Sequence, residues 1–210
     1  MTPEEICRLS PVIPVLTIRS VTQAAPLARA LYDGGLRALE VTLRTPAALQ
    51  AISKMRQAVP DAIVGAGTLL TAADVRAAVS AGAQFGVSPG FTESLLDAAE
   101  EAGLPMLPGV ATPGEAMRAL ERGLDILKFF PAEGNGGRAV LNAWAAPLPQ
   151  IRFCPTGGIG PENAGGYLKL PNVLCVGGSW VAPKTAVETG DWAVVERLAA
   201  EACRLSPPSA

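Results

Sequence analysis

Short apolar runs, many of them rich in β-branched residues, recur along the chain about every 20 to 26 residues. Each run is too short for a helix and too continuous for a strand with one solvated face. The pattern therefore predicts parallel strands that are buried on both sides. The eight predicted strands span residues 12–16, 38–41, 63–66, 85–87, 106–108, 126–129, 152–154 and 173–176.

Amphipathic segments with helix start signals lie between the predicted strands. Threonine is a favoured N-cap, and the threonines placed to open these helices are Thr22, Thr45, Thr71, Thr92 and Thr112. Eight strand–helix units in series form either a closed barrel or a doubly wound sheet. The regular repeat, without a topological break, favours a single compact (β/α)8 TIM barrel over residues 1–210. Residues 3–9 are expected to form a short helix that caps the N-terminal end of this barrel, and residues 206–210 a loose tail.

The composition argues against several classes of partner. The net charge is −2 and no basic stripe is present, so we expect no nucleic-acid or membrane partner. No apolar run reaches the length of a membrane span, and the N-terminus lacks the order of a signal peptide. The four cysteines are widely spaced and indicate buried free thiols. These features predict a cytoplasmic protein.

The chain contains no histidine. Proton transfer near neutral pH must then use a carboxylate, a lysine, a tyrosine, a thiol or water. Most zinc sites become improbable, because imidazole is a usual ligand and the cysteines lack the spacing of metal ligands. We therefore expect chemistry that depends on a carboxylate and a lysine, with neither a metal nor an organic cofactor.

Lys128 is a cationic residue within the apolar predicted strand 126–129. Its stem can pack on a helix while the amine reaches water. Alternation along a strand, however, places Lys128 and Phe130 on one face and the bulky Leu127 and Phe129 on the other. If the second pair packs against helices, the amine points into the barrel. Burial disfavours the charged form of an amine, so such a lysine is a candidate nucleophile.

Glu40 occupies the second predicted strand, where a carboxylate is costly to bury without a partner. One interpretation is a structural ion pair between Glu40 and Arg44. The alternative is that Glu40 transfers protons while the planar fork of Arg44 binds a substrate carboxylate.

Glycines cluster where several predicted strands end, at residues 65–67, 90, 109, 157–158 and 177–178. Glycine allows backbone amides to approach an anion, and the loops after strands seven and eight of such barrels are a frequent phosphate site. Two glycine pairs at these two strand ends, the second followed by Ser179, predict a phosphate-binding site.

Six motifs resemble those of the 2-keto-3-deoxy-6-phosphogluconate (KDPG) aldolases, in the order and spacing of that family. They are LEVTLRT (39–45), VGAGT (64–68), SPG (88–90), KFFPAE (128–133), RFCPTGGI (152–159) and LCVGGSW (174–180). The resemblance implies a class I aldolase folded as a (β/α)8 barrel and commonly trimeric. It implies that the enzyme cleaves KDPG to pyruvate and glyceraldehyde 3-phosphate, reversibly and without a cofactor.

The resemblance also assigns roles to individual residues. Lys128 matches the Schiff-base lysine and Glu40 the general acid/base. The residues that match substrate contacts are Arg44 and Thr68 for the pyruvyl carboxylate, Gly157, Gly158, Gly178 and Ser179 for the phosphate, and Pro89, Phe130 and Thr156 for the pocket. Thr156 is more similar to the phosphogluconate form than to galactonate-specific relatives, which typically have an apolar residue there. Arg19 follows the first strand and is expected to add positive charge near the phosphate.

Three alternatives remain open from the sequence. The same site can act on 4-hydroxy-2-oxoglutarate or on the galactonate epimer of the substrate. A phosphate-binding barrel isomerase would use Glu40 as a base without a covalent step. A non-enzymatic sugar-phosphate binding barrel would need the glycine loops but neither Lys128 nor Glu40.

Overall fold

The computed structural model describes residues 1–205, so the predicted tail 206–210 lies outside the described residues. Parallel strands alternate with helices along the chain, which confirms the predicted α/β class. The strands are β1 (Val12–Leu16), β2 (Ala38–Thr42), β3 (Ile63–Gly67), β4 (Gly86–Val87), β5 (Met106–Leu107), β6 (Gly109–Val110), β7 (Ile126–Phe129), β8 (Arg152–Pro155) and β9 (Val176–Gly178). The helices are α1 (Pro3–Cys7), α2 (Ala24–Asp33), α3 (Ala48–Ala58), α4 (Ala72–Ser80), α5 (Glu93–Glu101), α6 (Pro113–Glu121), α7 (Gly137–Trp144), α8 (Ala164–Leu168), α9 (Lys184–Thr189) and α10 (Trp192–Cys203).

The strands form a curled arrangement of two parallel sheets. Six strands follow the order β5-β4-β3-β2-β1-β9, and the other three follow the order β6-β7-β8. Single bridges join Thr156 to Gly177 and Phe153 to Val173, next to β8 and β9. The carboxyl ends of β1, β2, β3, β7, β8 and β9 therefore lie on the same side of the molecule, where the predicted site residues are located.

Two predicted strands differ from the observed ones by more than one terminal residue. The predicted strand 106–108 is interrupted at Pro108, because proline has no N–H to donate to a neighbouring strand. As a result β5 pairs with β4, whereas β6 pairs with β7. The prediction at 173–176 was placed too early, because the apolar run beginning at Val173 extends before the ladder that starts at Val176.

Three of the five predicted helix caps are confirmed. The hydroxyls of Thr71, Thr92 and Thr112 each accept a hydrogen bond from a backbone N–H three residues later. The other two predictions are wrong. Thr22 lies inside a short 3-10 turn that precedes α2, and the hydroxyl of Thr45 donates to the carbonyl of Ile18 instead of capping α3.

Helix α1 packs against the N-terminal ends of the strands. Its buried residues Ile6 and Cys7 belong to a small apolar cluster with Phe85, Leu107 and Cys175, which is separate from the larger core beneath the other helices. All four cysteines are free thiols, as expected, but Cys203 is only half-buried. Within residues 1–205, none of the helices is long and apolar enough to cross a membrane.

Candidate active site

Lys128 lies in the central strand of the three-stranded sheet, between β6 and β8. Its side chain is 5% exposed, so nearly all of it is shielded from bulk solvent. Its Nζ lies 3.7 Å from Glu40 Oε1 and 5.1 Å from the centre of the Phe130 ring. Since Glu40 is in β2, this contact joins the two sheets across the interior of the molecule.

Glu40 is 3% exposed, and its Oε1 accepts no hydrogen bond from any residue between 1 and 205. The 3.7 Å separation from Lys128 is an ion-pair distance but too long for a hydrogen bond. Within residues 1–205, Glu40 thus forms its ion pair with Lys128 and not with Arg44, in contrast to the first interpretation of the sequence. A buried carboxylate with an unused oxygen beside an amine is well placed to exchange protons.

Gly67 provides the space that the Glu40 carboxylate occupies. In the β2–β3 ladder Gly67 pairs with Thr42, two residues beyond Glu40. A Cβ atom at Gly67 would overlap Glu40 Oε1, Cδ and Cγ. Any larger residue would thus force the Glu40 carboxylate out of its present position. The glycine in this motif consequently positions a catalytic candidate as well as ending a strand.

Arg44 and Thr68 form a second polar pair at the mouth of the site. Arg44 Nε donates to Thr68 Oγ1 at 3.0 Å, which orients the guanidinium. Thr68 has a φ of 62°, in the left-handed region. This region costs a non-glycine residue about 1–2 kcal/mol, and such residues cluster at functional sites. The edge of the Arg44 fork that has no partner among residues 1–205 is suited to a carboxylate.

A cavity of about 230 Å³ opens above the Lys128 amine. Eight of the predicted site residues line it: Arg44, Lys128, Phe130, Thr156, Gly157, Gly158, Gly178 and Ser179. Glu40 and Thr68 do not line the cavity themselves. Glu40 contacts Lys128 and Thr68 contacts Arg44, and these two residues do line it. Pro89 was predicted to line the pocket, but it is not among the lining residues. Its backbone instead packs against Gly109, which leaves no space there for a Cβ.

The loop after β8 forms a glycine turn at one end of the cavity. Gly157 and Gly158 have φ values of 103° and 75°, which favour glycine. The Gly157 N–H faces Gly177 across the bridge to β9, whereas among residues 1–205 the N–H groups of Gly158 and Ile159 donate no hydrogen bond. Consecutive amides of this kind form a concave site for an anion.

Glu133 and Tyr167 hold the glycine turn in place. The Glu133 amide donates to the Gly157 carbonyl at 3.1 Å, and a Cβ at Gly158 would contact the Glu133 side chain. The Tyr167 hydroxyl donates to the Glu133 carboxylate. Burial, followed by this hydrogen bond, raises the pKa of Tyr167, so the phenol stays protonated and remains a donor.

A second cavity of about 420 Å³ adjoins the first. Val15, Thr17 and Ser179 line both cavities. Arg19, which was expected near the phosphate, lines only the larger one. Sequence reasoning also missed Thr17 and Gly67. Thr17 follows an apolar strand without any motif of its own, whereas the regular spacing of glycines in residues 65–67 was a usable signal.

The geometry points to a class of protein: an enzyme with a buried lysine–carboxylate pair beneath a pocket lined by an arginine and a glycine turn. Comparisons with known proteins agree with this class. The family model for KDPG and KHG aldolase matches residues 4–198. The KHG/KDPG aldolase of Escherichia coli K12 is 50% identical over 199 residues, covering 95% of this chain and 93% of that protein. The chain belongs to the KDPG and KHG aldolase family.

Two solved structures are similar along nearly the whole chain. KDPG aldolase from Legionella pneumophila, with pyruvate captured as a covalent carbinolamine intermediate, has a TM-score of 0.94 and 44% identity, covering 97% of this chain and 98% of that one. The 2-keto-3-deoxy-6-phosphogluconate aldolase of Zymomonas mobilis ZM4, with 3-phosphoglycerate, has a TM-score of 0.92 and 48% identity, covering 97% and 96%.

Replacing Gly67 with alanine should displace the Glu40 carboxylate from Lys128, because the new Cβ takes its place. Overpacking of a buried site typically costs about 1–3 kcal/mol, so the free energy of unfolding should fall by that amount. Denaturant unfolding measures this change, and a crystal structure of the variant measures the Nζ–Oε1 distance.

Gly114→Ala is a matched control, because no atom lies within 4 Å of a Cβ built at this position in α6. It should leave stability unchanged or raise it by up to about 1 kcal/mol, since alanine has the higher helix propensity. An unshifted carboxylate in Gly67→Ala would show that Gly67 does not position Glu40.

Proposed function

We propose that the protein is a class I aldolase that cleaves KDPG to pyruvate and glyceraldehyde 3-phosphate, reversibly. The observation that carries this proposal is the 3.7 Å contact between Lys128 Nζ and Glu40 Oε1 beneath a pocket lined by Arg44 and a glycine turn. This arrangement combines a nucleophilic amine, a proton acceptor and two separate sites for anions.

The first stage forms the covalent intermediate. Lys128 gives up a proton, for which Glu40 is the nearest acceptor, and the neutral amine attacks the C2 ketone of the substrate. Protonated Glu40 then returns this proton to the departing hydroxyl, so that water leaves, a cationic imine forms and Glu40 is again a carboxylate. The imine withdraws electrons from C3, so that one difficult bond cleavage is divided into easier steps.

The second stage breaks the carbon–carbon bond. Glu40 takes the proton of the C4 hydroxyl, the C3–C4 bond breaks, and its electron pair moves toward the imine nitrogen to give an enamine. Glyceraldehyde 3-phosphate leaves. Glu40 then returns the proton to C3, and water hydrolyses the imine to release pyruvate and restore the lysine.

The two ends of the substrate are held by different groups. The Arg44 guanidinium, oriented by Thr68, binds the pyruvyl carboxylate. The phosphate lies against the free amides of Gly158 and Ile159, close to the Ser179 hydroxyl. Phe130 and Thr156 flank the carbon chain between them. With its carboxylate at Arg44 and its phosphate at the glycine turn, the substrate has C2 above Lys128.

The proposal includes a single (β/α)8 barrel domain for the chain. Its support is that β5 and β6 are separated only by Pro108, and that Thr156 and Gly177 bridge the sheets beside β8 and β9. Counting β5 and β6 as one strand gives eight strands in a circular order, with α1 packed against their N-terminal ends.

We also infer a cytoplasmic homotrimer. The four free thiols are compatible with a reducing compartment. Two large apolar side chains, Leu70 and Met117, are 57% and 55% exposed, and subunit contacts would cover such groups. Light scattering tests this inference: a mass three times that of the 21.5 kDa chain supports it, and a monomer contradicts it.

The relative substrate preference follows from the anion site at the glycine turn. If the turn binds phosphate, KDPG should be cleaved with a higher kcat/KM than 4-hydroxy-2-oxoglutarate, which has no phosphate. The Thr156 side chain at the cavity wall favours the gluconate over the galactonate epimer, because a polar residue there is typical of the gluconate enzymes. Turnover of the three keto acids compares these alternatives.

Lys128→Arg should abolish cleavage, because a guanidinium stays protonated and cannot form the imine. Incubation with pyruvate and borohydride, followed by peptide mass mapping, should place a reduced adduct on Lys128 in the native protein and none in the variant. Lys54→Arg, in an exposed position of α3, is the control and should keep both activity and the adduct. A native protein without any adduct would favour the isomerase or the binding barrel.

Glu40→Gln should slow cleavage by about 10²- to 10⁴-fold, the usual contribution of a positioned acid/base, and should slow imine formation less, because water can replace Glu40 as acceptor of the lysine proton. Single-turnover kinetics with KDPG, combined with borohydride trapping, separates the two steps. Unchanged cleavage in this variant would remove Glu40 from the mechanism.

A further inference from the structure

Thr17 lies between the two ends of the proposed substrate. It follows β1 directly, and the sheet order is β9-β1-β2-β3. Ser179 follows β9 on one side of it, and Arg44 follows β2 on the other. Thr17 lines the active-site cavity together with both of these residues. Its side chain is therefore beside the middle of a molecule that extends from Arg44 to the glycine turn.

The hydrogen bonds around Thr17 fix the direction of its hydroxyl. Thr42 Oγ1 donates to the carbonyl of Leu16 at 2.8 Å, and a carbonyl can only accept. A threonine hydroxyl has one proton, so Thr42 has no second proton to donate. In the 3.2 Å contact between the two hydroxyls, Thr17 is therefore the donor and Thr42 the acceptor.

The Thr17 oxygen therefore has lone pairs available but no free proton. Thr42 is its only hydrogen-bond partner among residues 1–205. The oxygen that faces the cavity can therefore accept a hydrogen bond but cannot donate one. It is complementary to a ligand hydroxyl, and it is a poor partner for a phosphate or carboxylate oxygen.

We propose that Thr17 is a specificity-determining residue that accepts a hydrogen bond from the C5 hydroxyl of the substrate. This inference rests on the proposed function and extends it to the aldehyde half of the reaction. C3 of KDPG bears no hydroxyl, and the C4 hydroxyl is assigned to Glu40. C5 lies between C4 and the carbon that bears the phosphate, which matches the position of Thr17 between Arg44 and Ser179.

The synthetic direction isolates this contact. Pyruvate is added to glyceraldehyde 3-phosphate or to 3-oxopropyl phosphate, which is the same aldehyde without the hydroxyl that becomes C5-OH. A hydrogen bond of ordinary strength corresponds to about a tenfold preference. The native enzyme should favour glyceraldehyde 3-phosphate by about that factor in kcat/KM.

Thr17→Val keeps the shape of the side chain and removes its oxygen, so it should abolish the preference by slowing only the hydroxylated aldehyde. Thr17→Ser retains the oxygen and should retain the preference. A merely structural role for Thr17 would slow both aldehydes equally in Thr17→Val, and that result would overturn the inference. An unchanged preference in Thr17→Val would overturn it as well.

Trapping of pyruvate by borohydride separates the failure of this inference from the failure of the proposed function. The adduct on Lys128 needs no aldehyde, so Thr17→Val should form it as the native protein does, which also shows that the variant folds. If the native protein forms neither adduct nor aldol product, the proposed function is wrong. If it forms both while the Thr17→Val preference is unchanged, only the role of Thr17 is wrong.

Discussion

The buried contact between Lys128 and Glu40 is the interaction on which the rest of the site depends. The two side chains are 5% and 3% exposed, and neither group would be tolerated there alone. Removing one partner of such a pair typically costs about 3–5 kcal/mol, because the other charge remains buried. The Nζ–Oε1 distance of 3.7 Å is within the range of an ion pair but beyond that of a hydrogen bond. Proton transfer between the two groups therefore needs a small closer approach or one bridging water.

The surrounding structure maintains this proximity mainly because no other side chain occupies the space around the Glu40 carboxylate. Gly67 leaves room for the carboxylate, and the strained backbone of Thr68, one residue later, supplies the acceptor that orients Arg44. On the opposite side, the glycine turn after β8 is held by Glu133 and Tyr167. Arg44 and the glycine turn, the two proposed anion sites, thus each have their own support, and both line the cavity together with Lys128.

Much of this arrangement follows from local sequence signals. Lys128 and Glu40 are recognisable because a charged residue in a continuous apolar strand needs a reason to be there. The partner of Glu40 is not predictable in the same way, since Arg44 is four residues away and Lys128 is in another sheet. Thr17 carries no sequence signal, because its role depends on the hydrogen bond that Thr42 makes to Leu16. The split at Pro108 and the later start of β9 depend likewise on pairing between distant strands.

Exchange of the pyruvate methyl protons with deuterated solvent, followed by NMR, tests the Lys128–Glu40 mechanism most directly. It requires both the imine on Lys128 and proton transfer to C3, but no aldehyde. The native protein should exchange these protons readily, and loss of either side chain should abolish the exchange. Exchange that persists without the Lys128 amine would contradict a mechanism based on this pair.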